Sequence, residues 1–374
     1  MNRIVQLANF YGPATGGLKT VVEELARHYT AAGVERVLIA PGSADSQKTT
    51  ANGTQIFVRA PVVPASGGYR MIGGTSDLFA LLDRVHPDAV EVSDKLTLVA
   101  ATRWARRRDI PCTLLSHERI DAILRGRVPG FAPLGRLADV WNARLARSFD
   151  TVICPSRFAW DEFGRIGATN ALVVPWGVDL DTFSPGARQD GPVHQRAEIE
   201  LVCVGRLSKE KQPEVAVDVT AELRRRGVDV HLTMVGAGPK RAPLERRARD
   251  VPVTFTGHVH ERREVARLLA RADLTLAPCG AEAFGLAVLE SLACGTAVVT
   301  SDSGAASEIC DPHCGIAVPA DAGSMADAVT TLLGRDREAL RLHARTRAER
   351  FPWARSAEAV LAAHRGRRRG AVCA

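Results

Sequence analysis

Short β-type runs alternate with longer amphipathic stretches along this chain, and the alternation is played through twice. In the first half RIVQLA leads to TVVEELARHYTAAG, and RVLIAP, AVEVS, LVAATRWARRR, PCTLLSH, TVICPS and FAWDEFGRIG keep the same rhythm. A strand that recurs after each helix-length crossover runs parallel to the strand before it, because the crossover returns the chain to the end from which it started. Parallel sheets are buried on both faces, so helices must cover both. After ALVVPWGVDLDTFSPGARQDGPVHQRAE the rhythm restarts at IELVCVGRL and VAVDVTAELRRRG, then runs through VHLTMVGAGP, PVTFTGHV, EVARLLARA, LTLAPC, AVVTSDSG and GIAVPA. The stretch 181–197 is poor in apolar residues, few contacts can cross it, and it reads as a linker. The expected fold class is α/β, with two Rossmann-like doubly wound domains over 1–185 and 186–350 and a cleft between them. Ligands of such sheets gather at the carboxyl ends of the strands.

The bulk numbers agree with this division. A chain of 374 residues suits two domains of about 150–200 residues each. Hydrophobic and charged contents of 46% and 24% are those of an ordinary globular protein. No apolar run reaches the ~18 residues of a membrane-spanning helix, and no signal-peptide pattern precedes RIVQLANFYG. The eight cysteines are scattered, mostly within apolar runs, which predicts reduced thiols in a cytoplasm. CDPHCG at 310–315 offers two Cys and one His but no fourth ligand nearby, so no zinc site is expected there. The net charge of +7 is concentrated in the arginine clusters 103–108, 119–127 and 364–370. A basic surface suits nucleotides, anionic lipid headgroups or nucleic acid, and equally an ordinary solvated face. Few aromatics interleave with the arginines, which argues against a dedicated nucleic-acid groove.

The strand exits hold the candidate chemistry. Gly16 and Gly17 precede a helix starting near Leu18, where they form either a plain turn or a backbone that lets an anion approach free amides. VCVGRLSKEK releases Arg206 and Lys211 just past a strand; a fork and a point charge together suit a diphosphate, and a surface salt-bridge loop is the other reading. In VGAGPKRAPLE, Gly236 and Gly238 mark a tight strand-to-helix turn. Arg241 stands where a dinucleotide fingerprint needs its third glycine, so a nicotinamide cofactor is not expected. His117 ends the strand run PCTLLSH and would project from the sheet crest, as a structural hydrogen-bonder or as a catalytic group. Asp179 and Asp181 have a metal-binding spacing but lie in the linker, and a turn is expected.

EAFGLAVLE, residues 282–290, reads as a core helix with a carboxylate at each end. A spacing of eight residues is about two and a quarter helical turns, so Glu282 and Glu290 would lie within roughly 80° of each other and could serve one ligand.

Together these segments resemble the retaining glycosyltransferases of the GT-B fold, family four, which include bacterial phosphatidylinositol mannosyltransferases and sucrose synthases. The resemblance covers nearly the whole chain and rests on TGGLKTVVEEL, the Ser116-His117 pair, VICPSRFAWDEF, VPWGVDLDTFSP, VGRLSKEK, VGAGP, FTGHV and above all EAFGLAVLESLACGTAVVTSDSGAASEI. The opening and GATNALVVPWGVDLDTF look most like actinobacterial sequences labelled GDP-mannose-dependent α-mannosyltransferases. The resemblance implies that Glu290 accepts hydrogen bonds from the donor's ribose and Glu282 holds hydroxyls of the transferred sugar. It implies that amides of Phe284, Gly285 and Leu286 face the sugar and diphosphate, with Arg206 and Lys211 as the diphosphate pair. Gly16 and Gly17 match a loop that closes over phosphates, His117 a histidine beside the sugar, and Thr256-Gly257-His258-Val259 the strand end lining the base. Gly236 and Gly238 flank the same donor pocket. RFPWARSAEAVLAAHRG, within 351–374, resembles the family's last helix, which crosses back onto the first domain ahead of a basic tail.

The expected activity is retaining transfer of a hexose, mannose from GDP-mannose, by same-face attack in which the leaving phosphate takes the acceptor's proton. No cofactor, metal or nucleic acid is expected. The acceptor is a glycan, a glycolipid or a small polyol or aglycone, set by the segments 43–80 and 119–140. A lipid acceptor would add peripheral contact with an anionic membrane, at the inner face of the plasma membrane. Two alternatives stay open: a UDP-sugar enzyme acting on an inositol phosphate or natural-product aglycone, and a sugar-nucleotide-binding protein without turnover.

Overall fold

A computed structural model describes residues 1–12, 16–63, 68–119, 121, 132–188 and 199–370, the side chains of 132–134 and 367–370 aside. Among the described residues, packing divides the chain into two units: 1–121, 132–176 and 353–370 in the first, and 177–352 in the second.

The first unit is built on an eight-stranded sheet of order β3-β4-β2-β1-β5-β6-β7-β8. Its strands are β1 Arg3–Leu7, β2 Glu35–Gly42, β3 Ser46–Thr50, β4 Gly53–Arg59, β5 Ala89–Val92, β6 Cys112–Leu115, β7 Thr151–Cys154 and β8 Ala171–Val173. All pairings are parallel except β3 with β4. The central strands are buried on both faces, as the unbroken apolar runs in the sequence require. The stretch 43–80 is not all loop: Thr50 pairs with Gly53 across Ala51-Asn52, so a two-residue turn makes the hairpin β3–β4 and adds an edge to the sheet.

The last helix, Trp353–Gly370, packs in the first unit, where buried polar contacts tie it to the sheet. His364 bonds Glu91 Oε1 (2.9 Å) and Thr113 Oγ1 (3.1 Å). Tyr29 and Gln6 donate to the same carboxylate at 2.7 and 2.9 Å, and Arg36 Nε donates to Gln6 at 2.7 Å. A carboxylate stripped of water costs several kcal/mol unless donors replace the water, and Glu91 has three of them at full burial.

The second unit carries six parallel strands in the order β11-β10-β9-β12-β13-β14. They are β9 Ile199–Val204, β10 Val230–Val235, β11 Val253–Gly257, β12 Leu274–Ala277, β13 Ala297–Ser301 and β14 Gly315–Val318. Leu201, Val217, Leu232, Met234, Leu276, Val299 and Val329 fill its core. Residues 178–183 belong to this unit and are pinned by Arg345, whose Nη1 donates to the carbonyls of Leu180 (3.2 Å), Phe183 (3.0 Å) and Ala293 (3.1 Å). Among the described residues no helix is long and apolar enough to cross a membrane.

Candidate active site

Four neighbouring strands of the second unit, β11, β10, β9 and β12, release their loops at one end of the sheet, and most of the residues singled out in the sequence lie on these loops. Past β9 the chain turns at Gly205, whose amide donates to Val235 O at 2.9 Å. The loop past β10 lies directly on it: a Cβ at Gly236 would stand 1.9 Å from Gly205 O, and one at Gly238 would stand 2.3 Å from Leu207 O. Hydrogen bonds from Leu207 N to Ala237 O (3.0 Å) and Lys240 N to Leu207 O (2.9 Å) join the two backbones. The two glycines therefore permit contact between loops, and that contact braces Arg206. The Arg206 side chain is 48% exposed and 4.0 Å from Glu210.

Lys211, at the end of the same loop, forms an ion pair with Glu282, and both side chains are a little under a third exposed. Burial alone would lower the Lys211 pKa, but the Glu282 carboxylate outweighs it, and the ammonium is held above its ordinary range. Ser208 Oγ donates to Glu210 at 2.7 Å, and the Cys279 thiol to Glu210 O at 3.1 Å, which ties this loop to the one past β12. Burial pushes the Cys279 thiol up to about 11, so it is protonated at neutral pH.

The expectation of one helix over 282–290 is corrected here. The helix is Leu286–Ala293; its cap, Gly285, has φ 100°, a left-handed conformation that β-carbon sterics disfavour. Glu282 lies on the loop before it, where its carbonyl accepts from Ala305 N at 2.9 Å, so the two carboxylates do not share a helix face. Buried Ala283 and Phe284 anchor that loop. The first intrahelical bond is Leu289 N to Gly285 O at 3.1 Å, so the amides at the head of the helix have no acceptor within it. Glu290, one turn further in, is 15% exposed and meets Arg262 Nη2 at 3.4 Å. At the end of β11, Gly257 is buried and its carbonyl accepts from Gly236 N at 2.9 Å, while beyond it Val259 is half-buried and His258 exposed.

Comparison with known proteins gives this arrangement a family. Residues 198–335 match the model for glycosyl transferases group 1, and residues 16–177 the model for a glycosyl transferase 4-like domain. The chain is 44% identical over 365 residues to the GDP-mannose-dependent α-(1-6)-phosphatidylinositol dimannoside mannosyltransferase of Mycobacterium tuberculosis, covering 96% of this chain and 95% of that one. The chain is a group 1 glycosyltransferase. Its fold is GT-B: sucrose-phosphate synthase from Thermosynechococcus elongatus superposes with a TM-score of 0.79 at 20% identity, covering 98% and 99% of the two chains. Anabaena HepE in complex with UDP and glucose superposes at 0.75 and 18% identity, covering 97% and 98%. The glycosyltransferase is thus an enzyme that draws a hexose from a nucleotide-sugar donor.

In the first unit of the glycosyltransferase, Gly16 and Gly17 are exposed at the head of the helix Gly17–Ala31. His117 lies two residues past β6, stacked on Trp176 with ring centroids 5.9 Å apart, and Trp176 stacks in turn on Trp353. Burial, aided by Lys95, lowers the His117 pKa to about 4 against the pull of Glu91, so the ring is neutral at pH 7. Among the described residues its Nε2 has no hydrogen-bond partner. Nearby on the same crest Lys95 pairs with Glu162 at 2.6 Å, both buried.

Two basic and acidic features fall elsewhere. Asp179 Oδ1 accepts from the amides of Asp181 (3.2 Å) and Thr182 (3.1 Å) and so closes a turn. Arg119 is buried and paired with Asp121 and Asp161, so it does not contribute a surface charge; 122–127 of that cluster lie outside the described residues. Arg103, Arg106, Arg107 and Arg108 are exposed. The sequence reading missed Arg262, which lies five residues past Gly257 in the unremarkable charge run ERRE.

Proposed function

We propose that this glycosyltransferase moves mannose from GDP-mannose to a hydroxyl of a phosphatidylinositol-type glycolipid, with retention of the α configuration and without a divalent metal. The observation that carries the reading is the pairing of Lys211 with Glu282 at the mouth of the helix Leu286–Ala293, beside the half-exposed Arg206. Breaking a glycosyl–phosphate bond leaves negative charge on the diphosphate and positive charge on the sugar, so stabilising the leaving group is the largest demand. Arg206 and Lys211 meet that demand as cations, and the positive end of the helix adds to them. Glu282 holds hydroxyls of the sugar and Glu290 those of the ribose; Phe284, Gly285 and Leu286 offer backbone amides. Gly257 and Val259 line the base, with Gly236 and Gly238 behind the phosphates. The leaving phosphate oxygen takes the acceptor's proton, so no enzymic nucleophile is needed. His117, neutral at pH 7, serves as a hydrogen-bonding group on the acceptor-side unit, and Gly16–Gly17 as anion-facing backbone.

The donor and acceptor follow the mycobacterial relative, which shares 44% of its residues with this chain over nearly its full length. A peripheral place at the cytoplasmic face of an anionic membrane is supported by the helix Ala132–Ser148, where Leu137 and Val140 are 63% and 70% exposed among exposed Arg136, Arg144 and Arg147. The test is transfer to phosphatidylinositol mannosides presented in anionic and in neutral vesicles, with GDP-mannose and with UDP-glucose as donors. GDP release coupled to mannolipid formation, faster on anionic vesicles, is expected. Turnover of UDP-glucose alone would overturn the donor assignment, and equal rates on both vesicles the membrane one.

A further inference from the structure

Glu290 is held by a residue from another helix. Arg262 is the first residue of the helix Arg262–Arg271, and its guanidinium sits over the Phe183 ring, 5.1 Å from the centroid, with Nη2 3.4 Å from Glu290 Oε1. Phe183 is almost fully buried, and Arg345 fixes its carbonyl and that of Ala293, the last residue of Glu290's own helix, through a single nitrogen. The aromatic platform under Arg262 and the helix carrying Glu290 are therefore tied to one anchor.

We infer that Arg262 is a positioning residue for donor binding: it orients the Glu290 carboxylate toward the vicinal hydroxyls of the donor's ribose. The inference rests on the donor reading above and deepens it. A glutamate side chain has three rotatable bonds, and a carboxylate that must accept from a diol loses affinity if those bonds are free before binding. A planar guanidinium stacked on a ring gives up little freedom and offers its attraction along a fixed direction.

The test is calorimetry with GDP and with 2′,3′-dideoxy-GDP on wild type, Arg262→Ala and Arg262→Lys. Wild type is expected to favour GDP. Arg262→Ala is expected to lose about tenfold in GDP affinity while its affinity for the dideoxy analogue stays within about twofold, with Arg262→Lys between the two. Equal losses for both ligands would mean a general structural or charge role, and tighter GDP binding would mean that Arg262 competes with the ribose; either overturns the inference. If Arg262→Ala does not fold, Arg262→Lys carries the same comparison, with a loss for GDP alone expected and an equal loss for both contradictory. A wild type that does not distinguish the ligands would sink the ribose reading of Glu290, and this inference with it, before any variant is measured.

Discussion

Both units hold charged side chains around their parallel sheets, but they treat those charges differently. In the first unit they are sealed: Glu91 is fully buried among Tyr29, Gln6 and His364, and Lys95 and Glu162 pair at 2.6 Å with 7% and 0% of their side chains exposed. In the second unit Lys211, Glu282, Arg206 and Arg262 keep between about 28% and 48% of their side chains in solvent. A sealed pair cannot exchange its partner for a ligand without leaving a bare charge in a low dielectric, so it serves the fold. A partly exposed pair can exchange, because water screens the intermediate stages and the ligand replaces one partner by another. The distinction separates charges that hold the protein together from charges available to bind.

The largest effect expected from that contrast is on stability. Glu162→Ala leaves the Lys95 ammonium buried without its counter-charge and should cost about 3–5 kcal/mol in urea unfolding. Arg206→Ala should leave the unfolding midpoint nearly unchanged, since the Arg206 side chain is 48% exposed and water screens its 4.0 Å contact with Glu210. A loss below about 1 kcal/mol for Glu162→Ala would erase the contrast.

The next effect is on rate. Arg206→Ala or Lys211→Ala removes one charge-assisted contact to the departing diphosphate and should raise the barrier by about 2–4 kcal/mol, or about 30- to 1000-fold in kcat/KM. Single-turnover kinetics with GDP-mannose checks this; rates within about threefold of wild type for both variants would remove the diphosphate role.

Much of the fold is legible in the sequence alone. The βα rhythm was readable because parallel strands buried on both faces are written as continuous apolar runs, and Arg206 and Lys211 could be placed because they follow β9 within a few residues. The hairpin was missed although Asn52-Gly53 marks it, because polar QKTT carries no apolar alternation. Glu282 was misplaced because its neighbours Ala283 and Phe284 continue an apolar pattern that a helix also satisfies; Gly285, left-handed, ends that continuity. Arg262 and the Glu91 cluster were out of reach for a different reason. Their partners lie far away in sequence, as with His364 and Glu91, and no local pattern encodes a contact made only by the finished fold.

The central claim is that Lys211 and Glu282 are an exchangeable pair at the donor's reacting end, while Glu290 grips the part of the donor that does not change. Calorimetry with bare GDP on Glu282→Gln and Glu290→Gln tests this most directly. Glu290→Gln should lose about tenfold in affinity, because it weakens acceptance from the ribose diol. Glu282→Gln should bind GDP at least as tightly as wild type, because Lys211 is released to the diphosphate, even as its kcat for mannose transfer falls. Equal weakening by the two substitutions, or no weakening by either, would contradict the account.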